Sequence, residues 1–220
     1  MRIVLLEPPA WPRESPGASL AGALAVPRIG FGDLIRAHLR ERTELGRRAH
    51  EFMNSGERIP DEISSAIVAD HLHQASPAGF VLTNHPLNTT QARALDELLH
   101  RRGTPLDAIV HLRLPEDELE RHIRLSADRR LCRTDASHTY EPPDNPPPGD
   151  GICPACGSEL YQRDDDEETK VRARFAQHEE RAQPLTRHYA AQGLLVTVDA
   201  TGTPEAIAGH TLTALRRHGS

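Results

Sequence analysis

The chain lacks the long apolar run and the excess of basic residues that mark two common functional classes. No apolar run approaches the roughly 20 residues that span a bilayer. The opening run at 3–6 ends at Glu7 and is too short for the core of a signal peptide. The 26 Lys and Arg stand against 32 Asp and Glu, for a net charge of −6, whereas a nucleic-acid binder normally carries a basic stripe. We therefore expect a cytoplasmic protein with no membrane and no nucleic-acid partner.

Cysteine is also scarce. Three cysteines are an odd number for a disulfide framework, and all of them lie between Cys132 and Cys156. This clustering indicates a metal site. The length of 220 residues suits one α/β domain with a sizeable core and a small insert.

Short apolar runs alternate with longer helical patterns along most of the chain. Continuous apolar runs predict buried strands at 2–6, 79–82, 107–112 and 194–198. Helical patterns occur at 34–42, 44–54, 61–74, 89–102, 167–192 and 204–217, with a bend or break expected at Pro184. Strands separated by helices predict a parallel sheet with helical crossovers.

Residues 131–163 do not follow this alternation. They hold every cysteine in the spacing Cys132-x-x-Asp135 and Cys153-x-x-Cys156. Two such short turns direct four ligands at one point, which is typical of a closed structural zinc site. His138 could replace Asp135 as the fourth ligand. Free cysteines in a loop, or a redox role for the Cys153 and Cys156 pair, are the alternatives.

Several segments in the same order resemble the bacterial adenylate kinases that carry zinc in their lid. The lid is matched at 129–132, 153–157 and 159–168, and the rest at 32–36, 44–46, 56–62, 79–82 and 198–202, with Pro86 and Gln91. The resemblance implies an α/β fold of the P-loop-kinase type, with a parallel sheet flanked by helices. It implies a core at 1–130 and 164–220, a helical NMP-binding arm at about 30–60, and a small zinc-knuckle lid insert at 131–163.

The phosphate-binding loop departs most from this family. Members have Gly-x-x-Gly-x-Gly-Lys-Gly-Thr, whereas the aligned run at 7–15 reads Glu-Pro-Pro-Ala-Trp-Pro-Arg-Glu-Ser and has no glycine. Glycines let successive N–H groups surround phosphates, while prolines have no N–H. Glu7 and Glu14 add negative charge there, although Arg13 keeps a cation and Ser15 a hydroxyl that could touch a metal. We therefore expect a degenerate P-loop.

Two residues of this loop allow more than one role. Trp11 could stack on a base, or it could fill the space that the glycines left. Glu7 could be a new catalytic carboxylate or a salt-bridge partner of Arg13. The sequence does not separate these alternatives.

The monophosphate arm departs as well. The family pattern Asp-Gly-Phe-Pro-Arg is replaced by Thr-Asn-His-Pro-Leu at 83–87. In the family the arginine grips the monophosphate and the aspartate helps to position magnesium. Gly30 and Phe31 also replace small hydroxyl residues. His85 lies beside the altered arm and could act as an acid or base near neutral pH.

Other family positions are retained, and the resemblance implies anion or nucleotide contacts for them. They are Arg129, Arg163 and Arg174 of the lid, Asp33, Arg36 and Gln91 of the arm, Asp165 and Asp166 near the lid hinge, and Arg124 as a partner for adenine. Converging arginines hold anions by bidentate contacts. Alternatively, Arg163 and Arg174 are ordinary partners of an acidic stretch.

Three functions remain open at this point. The first is a monomeric protein that binds a nucleotide or other small anionic ligand without efficient ATP-dependent phosphotransfer, as a pseudokinase does. The second is an enzyme repurposed for another phosphorylated or carboxylated substrate, with Glu7, Arg13, Glu14 or His85 in new roles. The third is a weak nucleoside monophosphate kinase that uses Mg-nucleotide to convert ATP and AMP into two ADP.

Overall fold

The computed structural model describes residues 1–9, 15–75, 78–135, 137–143 and 145–218, with only the backbone of Ala75 and Asp165. The chain forms two compact units. The first contains Met1–Glu7, Glu14–Arg113 and Glu180–Ser220, and the second contains Pro8–Arg13 and Leu114–Glu179. Within the described ranges, no helix combines the length and the apolar character needed to cross a membrane.

The elements follow the predicted alternation of strands and helices. The strands are β1 (Arg2–Leu6), β2 (Arg28–Gly30), β3 (Phe80–Thr83), β4 (Ala108–Arg113), β5 (Arg130–Cys132), β6 (Thr139–Tyr140), β7 (Leu160–Tyr161) and β8 (Leu195–Asp199). The helices are α1 (Pro16–Ala23), α2 (Phe31–Arg40), α3 (Glu44–Ser55), α4 (Asp61–Ala75), α5 (Thr89–Arg101), α6 (Glu116–Asp128), α7 (Glu168–Ala190) and α8 (Pro204–His218).

A parallel five-stranded sheet forms the first unit. Its order is β2-β3-β1-β4-β8, and every neighbouring pair is parallel. This confirms the predicted α/β fold with a parallel sheet flanked by helices. Leu5 pairs with Thr83 and Leu6 with His111, so the carboxyl ends of β1, β3 and β4 meet at one edge. Ligands of such sheets bind at that edge.

The central strands β1, β3 and β4 are mostly apolar because both faces of the sheet are covered there. Val4, Leu82 and Ile109 have no exposed surface, and they belong to one cluster with Ile67 of α4 and Leu99 of α5. Burial of each such side chain contributes about 1.5–3 kcal/mol. The core therefore fixes the sheet edge to which the functional residues are attached.

Local signals set the ends of α3 and the start of α5. Thr43 caps α3 by accepting a hydrogen bond from the Gly46 backbone N–H at 3.1 Å, and Asn88 caps α5 by accepting one from the Gln91 N–H at 2.9 Å. These caps satisfy N–H groups that would otherwise have no partner in the helix. Gly56 ends α3 with a φ of 72°, a conformation that favours glycine.

The second unit contains a small antiparallel sheet, ordered β6-β5-β7. Its apolar cluster consists of Cys132, Tyr140, Cys153 and Leu160, in which half the members are cysteines. So small a cluster buries little apolar surface. This agrees with an insert that is held by something other than a hydrophobic core.

The long charged helix differs from the prediction in one respect. α7 runs from Glu168 to Ala190 with Pro184 inside it, so the chain stays helical where a break was one expectation. The physical cost of an internal proline is a lost backbone hydrogen bond. On the C-terminal side of Pro184, Leu185 and Tyr189 are buried in the core of the first unit. Their burial stabilises the helix at this point.

Candidate functional site

Glu7 directly follows β1, and its carboxyl group is bound at the start of α1. Ser15 is the N-cap of α1; its hydroxyl donates to Glu7 Oε2 at 2.5 Å and accepts from the Gly17 N–H at 3.0 Å. The Gly17 N–H also interacts with the Glu7 carboxyl. Burial raises the pKa of Glu7, while the hydrogen bond from Ser15 and the charge of Arg28 oppose the rise. The protein's own acid therefore lies where the first N–H groups of α1 point.

The end of β3 packs closely against this helix start. A Cβ atom on Gly17 would lie 2.9 Å from Thr83 Cγ2, so a larger residue would displace one of the two elements. Thr83 is fully buried, and its Oγ1 has no hydrogen-bond partner among the described residues. β3 and α1 therefore leave no space between them for a side chain at position 17.

Asp33 and Arg36, two of the three arm residues expected to bind a ligand, are paired with each other. Asp33 accepts from Arg36 Nη2 at 2.5 Å and from Arg28 Nη2 at 2.9 Å, at the surface of the first unit. The hydrogen bond from Arg36 lowers the pKa of Asp33 most, and the Arg28 charge adds to this. Arg28, which no sequence pattern singled out, therefore acts electrostatically on both Asp33 and Glu7.

Gln91 is buried, and both ends of its amide are used within the protein. Its Nε2 donates to Asp61 Oδ1 at 2.7 Å, and its Oε1 accepts from the Leu87 N–H at 2.7 Å. Asn88 Nδ2 donates to both Asp61 oxygens, at 2.9 and 3.0 Å. This network fixes the turn between β3 and α5. The sequence pattern had indicated Gln91 but neither Asp61 nor Asn88.

His85 lies in the same turn with 2% of its surface exposed. Its ring packs against Phe31, with 5.4 Å between the ring centroids, and its Nδ1 has no hydrogen-bond partner among the described residues. Burial lowers the pKa of His85 to about 4, although the charge of Asp61 acts in the opposite direction. The imidazole is therefore neutral at physiological pH, which does not favour the expected acid–base role near pH 7.

In the second unit, Arg129 forms ion pairs with two carboxylates. Its guanidinium forms two hydrogen bonds with Asp166, including Nε to Oδ2 at 2.9 Å, and a third contact with Glu141 at 3.4 Å. Asp166 is fully buried, and its hydrogen bond raises the pKa of Arg129. This geometry gives Arg129 and Asp166 a structural role. Binding of an anion by Arg129 would have to compete with the two acids.

The other expected residues of this unit are more exposed. Arg124 is on the surface of α6, Arg163 precedes a short 3-10 turn at Asp164–Asp166, and Arg174 is half-buried in α7. Both Arg163 and Arg174 have interaction partners. The side chain of Asp165, and all of Trp11, Arg13 and Glu14, fall outside the described residues.

The three cysteines and His138 form a group that fits a metal ion. Their ligand atoms all lie within 4.8 Å of one another, and the Cys132 and Cys156 sulfurs are 3.3 Å apart. Ligands of tetrahedral zinc at about 2.3 Å from the metal are separated by about 3.8 Å. A hydrogen bond with Tyr140 lowers the pKa of Cys153 to about 6, which favours the thiolate that zinc requires. The donor set and its spacing therefore suit structural zinc.

This geometry favours His138 over Asp135 as the fourth ligand. His138 Nδ1 lies 3.6 Å from Cys153 Sγ. Asp135 is not part of the group: its Oδ1 accepts from the backbone N–H and the hydroxyl of Ser137, and its Oδ2 lies 3.6 Å from His138 Nε2. A carboxylate on the far nitrogen of a histidine ligand orients its ring toward the metal. Asp135 is therefore better suited to support the site than to complete it.

Comparison with known proteins identifies the family. The family model for adenylate kinase matches residues 5–194. The chain belongs to the adenylate kinase family. It is 42% identical over 218 residues to the adenylate kinase of Streptomyces avermitilis, covering 99% of this chain and 98% of that protein. Identity to the adenylate kinase of Streptomyces coelicolor is also 42%, covering 99% of both chains, and identity to that of Symbiobacterium thermophilum is 39%, covering 90% of both.

Membership of the adenylate kinase family confirms the resemblance on which the site residues were chosen. It does not by itself give those residues their roles, and the degenerate phosphate-binding loop expected at 7–15 stays a prediction. The roles of Glu7, Ser15, Arg36 and the lid arginines remain predictions.

Proposed function

We propose that this adenylate kinase family protein binds a nucleotide or another small anionic ligand without efficient ATP-dependent phosphotransfer. The observation that carries the proposal is the Glu7 carboxyl group held by Ser15 and Gly17 at the start of α1. Phosphates bind at helix N-termini because the free N–H groups and the helix dipole attract negative charge. Here an internal acid competes for that position.

The strength of this competition depends on the protonation of Glu7. A neutral carboxyl group still occupies the N–H groups. An ionised one would repel a phosphate oxygen 4 Å away by about 4 kcal/mol at an effective dielectric constant near 20. Both forms therefore oppose the binding of a triphosphate at this helix.

The sequence supports the same conclusion at two further places. The run at 7–15 has no glycine and includes Pro8, Pro9 and Pro12, which have no N–H to offer. Leu87 stands where the family has an arginine. Loss of a single preorganised donor reduces turnover by about 10²–10³-fold. Several losses together would remove most of the catalytic advantage, even where their effects are not additive.

A weak nucleoside monophosphate kinase is the second candidate. It is supported by the 42% identity, over nearly the full length, to proteins named adenylate kinase. Retention of Arg13, Arg36 and the lid arginines also supports it. In either case we propose structural zinc in the lid, bound by Cys132, His138, Cys153 and Cys156, and any nucleotide bound as its magnesium complex.

Parallel measurements of binding and turnover test the proposal. ADP formation from ATP, AMP and Mg²⁺ should be at least about 10³-fold slower than with the Streptomyces coelicolor relative as a positive control. Calorimetric titrations with ATP, AMP and inorganic phosphate would identify which anion binds. Turnover within about tenfold of the relative would overturn the proposal and establish the second candidate.

A matched pair of variants tests the role of Glu7 itself. Glu7→Ala removes both the carboxyl group and its charge from the start of α1, so it should tighten ATP binding. Glu51→Ala removes an exposed carboxylate of α3 and serves as the control for net charge. Equal ATP affinities in these two variants would show that Glu7 does not govern anion binding.

A further inference from the structure

The three cysteines of the lid differ in how far solvent can reach them. Cys132 and Cys153 are buried, with 2% and 1% of their surfaces exposed, whereas Cys156 is exposed. Oxidation of a cysteine by a solute depends on the exposure of its sulfur and on its thiolate character. A water-soluble oxidant therefore meets the sulfur of Cys156 first.

The sulfur of Cys132 lies close to that of Cys156. The two Sγ atoms are 3.3 Å apart, so a closure of about 1.3 Å would bring them to the length of a disulfide bond. Cys153 is held differently, because its buried Sγ is bonded to the Tyr140 hydroxyl at 3.2 Å and lies 3.6 Å from His138 Nδ1. These contacts leave Cys132 as the expected partner of an oxidised Cys156.

Backbone pairing holds these two sulfurs near each other. Cys132 pairs with Leu160 across β5 and β7, and the Arg133 N–H donates to the Glu159 carbonyl at 3.1 Å. Cys156 lies in the turn that leads into β7. The small sheet, and not a bound ion alone, therefore keeps the two cysteines within reach of each other.

A disulfide between these residues would change the lid in two ways. It would use two of the four donors that suit zinc, and the remaining Cys153 and His138 cannot complete a tetrahedral site. It would also join β5 covalently to the turn before β7, so the lid would keep a cross-link while it lost the metal. Oxidation would thus exchange one kind of cross-link for another.

We propose that Cys156 and Cys132 form an oxidation site for hydroperoxides, at which a disulfide replaces the structural zinc of the lid. The Cys156 sulfur attacks one peroxide oxygen; the O–O bond breaks, a sulfenic acid forms, and the other oxygen leaves as hydroxide or alkoxide. The Cys132 thiolate then attacks the sulfenic sulfur, so that the S–S bond forms and hydroxide leaves. The two sulfurs together give up two electrons, the peroxide is reduced to water or an alcohol, and protons from solvent neutralise the two leaving anions. This site is independent of the proposed function, because it involves neither the start of α1 nor a bound nucleotide.

Hydrogen peroxide is the probe that tests this site, and the sample is the zinc-loaded full-length protein. A chromogenic chelator follows zinc release, and peptide mass spectrometry after alkylation of the free thiols maps the disulfides. About ten equivalents of peroxide should release about one zinc per chain, with Cys132 linked to Cys156 and Cys153 alkylated. Dithiothreitol and added zinc should restore the starting state. Retention of zinc, zinc release without a disulfide, or a disulfide that includes Cys153 would each contradict the proposal.

Two matched variants locate the reaction without relying on zinc. Cys153→Ser and Cys132→Ser each remove one buried cysteine of the group that suits zinc. After peroxide treatment, Cys153→Ser should form the disulfide between its remaining cysteines, whereas Cys132→Ser should keep Cys156 as a sulfenic acid that dimedone labels. Equal disulfide formation in the two variants would show that Cys156 has no preferred partner and would sink the idea. Where either variant does not fold, the disulfide map of the unaltered protein decides the question alone.

Discussion

His85 is the residue whose environment differs most from what its sequence position suggested. The folded pKa of about 4 lies below the ordinary value of 6.5, so the unfolded chain binds a proton between these values and the folded chain does not. The stability due to the neutral buried ring is complete above pH 6.5 and is lost as the pH falls toward 4.

Between pH 7.5 and pH 5.0, the free energy of unfolding should therefore fall by about 2 kcal/mol more in the wild type than in His85→Gln. Urea denaturation at both pH values measures this difference. The other histidines titrate equally in both proteins, so their contribution cancels. An identical pH dependence would mean that His85 is accessible to protons in the folded state.

Asp166 and Asp164 provide a second comparison at this scale, since they are two residues apart but differ in burial. Asp166 is fully buried against Arg129, whereas the side chain of Asp164 is 99% exposed and lies 3.9 Å from Lys170. Removal of one member of a buried pair leaves the other charge unsatisfied. Asp166→Asn should therefore lower the free energy of unfolding by about 3 kcal/mol, and Asp164→Asn by less than about 0.5 kcal/mol. Thermal and urea denaturation measure both, and similar effects would contradict a structural role for the Arg129 pair.

At the scale of elements, the sequence predicted most of the regular ones but missed β2, α1 and α6. The buried strands β1, β3, β4 and β8 were readable because each is a continuous apolar run. α1 was not, because a proline-rich run precedes it and it contains two glycines. β2 has three residues, too few for a pattern, and α6 is so charged that only His122 and Ile123 are buried. Tertiary contacts, which a local pattern cannot contain, decide such elements.

In the lid, the choice of the fourth zinc ligand also depends on tertiary contacts, and this choice can be tested. The spacing of short turns predicted a four-ligand cluster, but the choice between Asp135 and His138 depended on where the loop folds back. His138→Ala should reduce the zinc content of the purified protein well below one per chain and lower its melting temperature. Asp135→Ala should retain zinc but bind it about 10–100-fold more weakly, as expected for a residue that only orients a ligand. Zinc analysis with competing chelators measures both, and the reverse order would restore Asp135 as the ligand.

At the scale of the whole molecule, the sequence predicted the family and the fold better than it predicted the contacts of the expected site residues. Segments spread over nearly the whole chain identified the family and its fold. The site was less predictable, because the contacts that engage Gln91, Arg129 and Glu7 join residues far apart in sequence or depend on burial. Sequence alone could show which family residues are present, but not that their polar groups already have partners inside the protein.

The two departures from the family should act on different substrates, and this gives the last prediction. Replacing residues 7–15 with the loop of the Streptomyces coelicolor relative should restore ATP affinity and leave AMP affinity unchanged. Leu87→Arg should do the converse, raising AMP affinity about tenfold through a charge-assisted hydrogen bond. Leu87 is 37% exposed, so the longer side chain can be accommodated. Leu87→Lys is the control, because it supplies the charge without the planar fork and should gain less.

Phosphoryl transfer requires both substrates to be held in line, so only the combined variant should convert ATP and AMP into ADP at a rate well above that of either single change. Calorimetry gives the two affinities, and a coupled assay gives the rate. If the loop replacement alone produced fast turnover, the turn at 83–87 would already bind AMP competently. The proposed loss of kinase function would then reside in residues 7–15 alone.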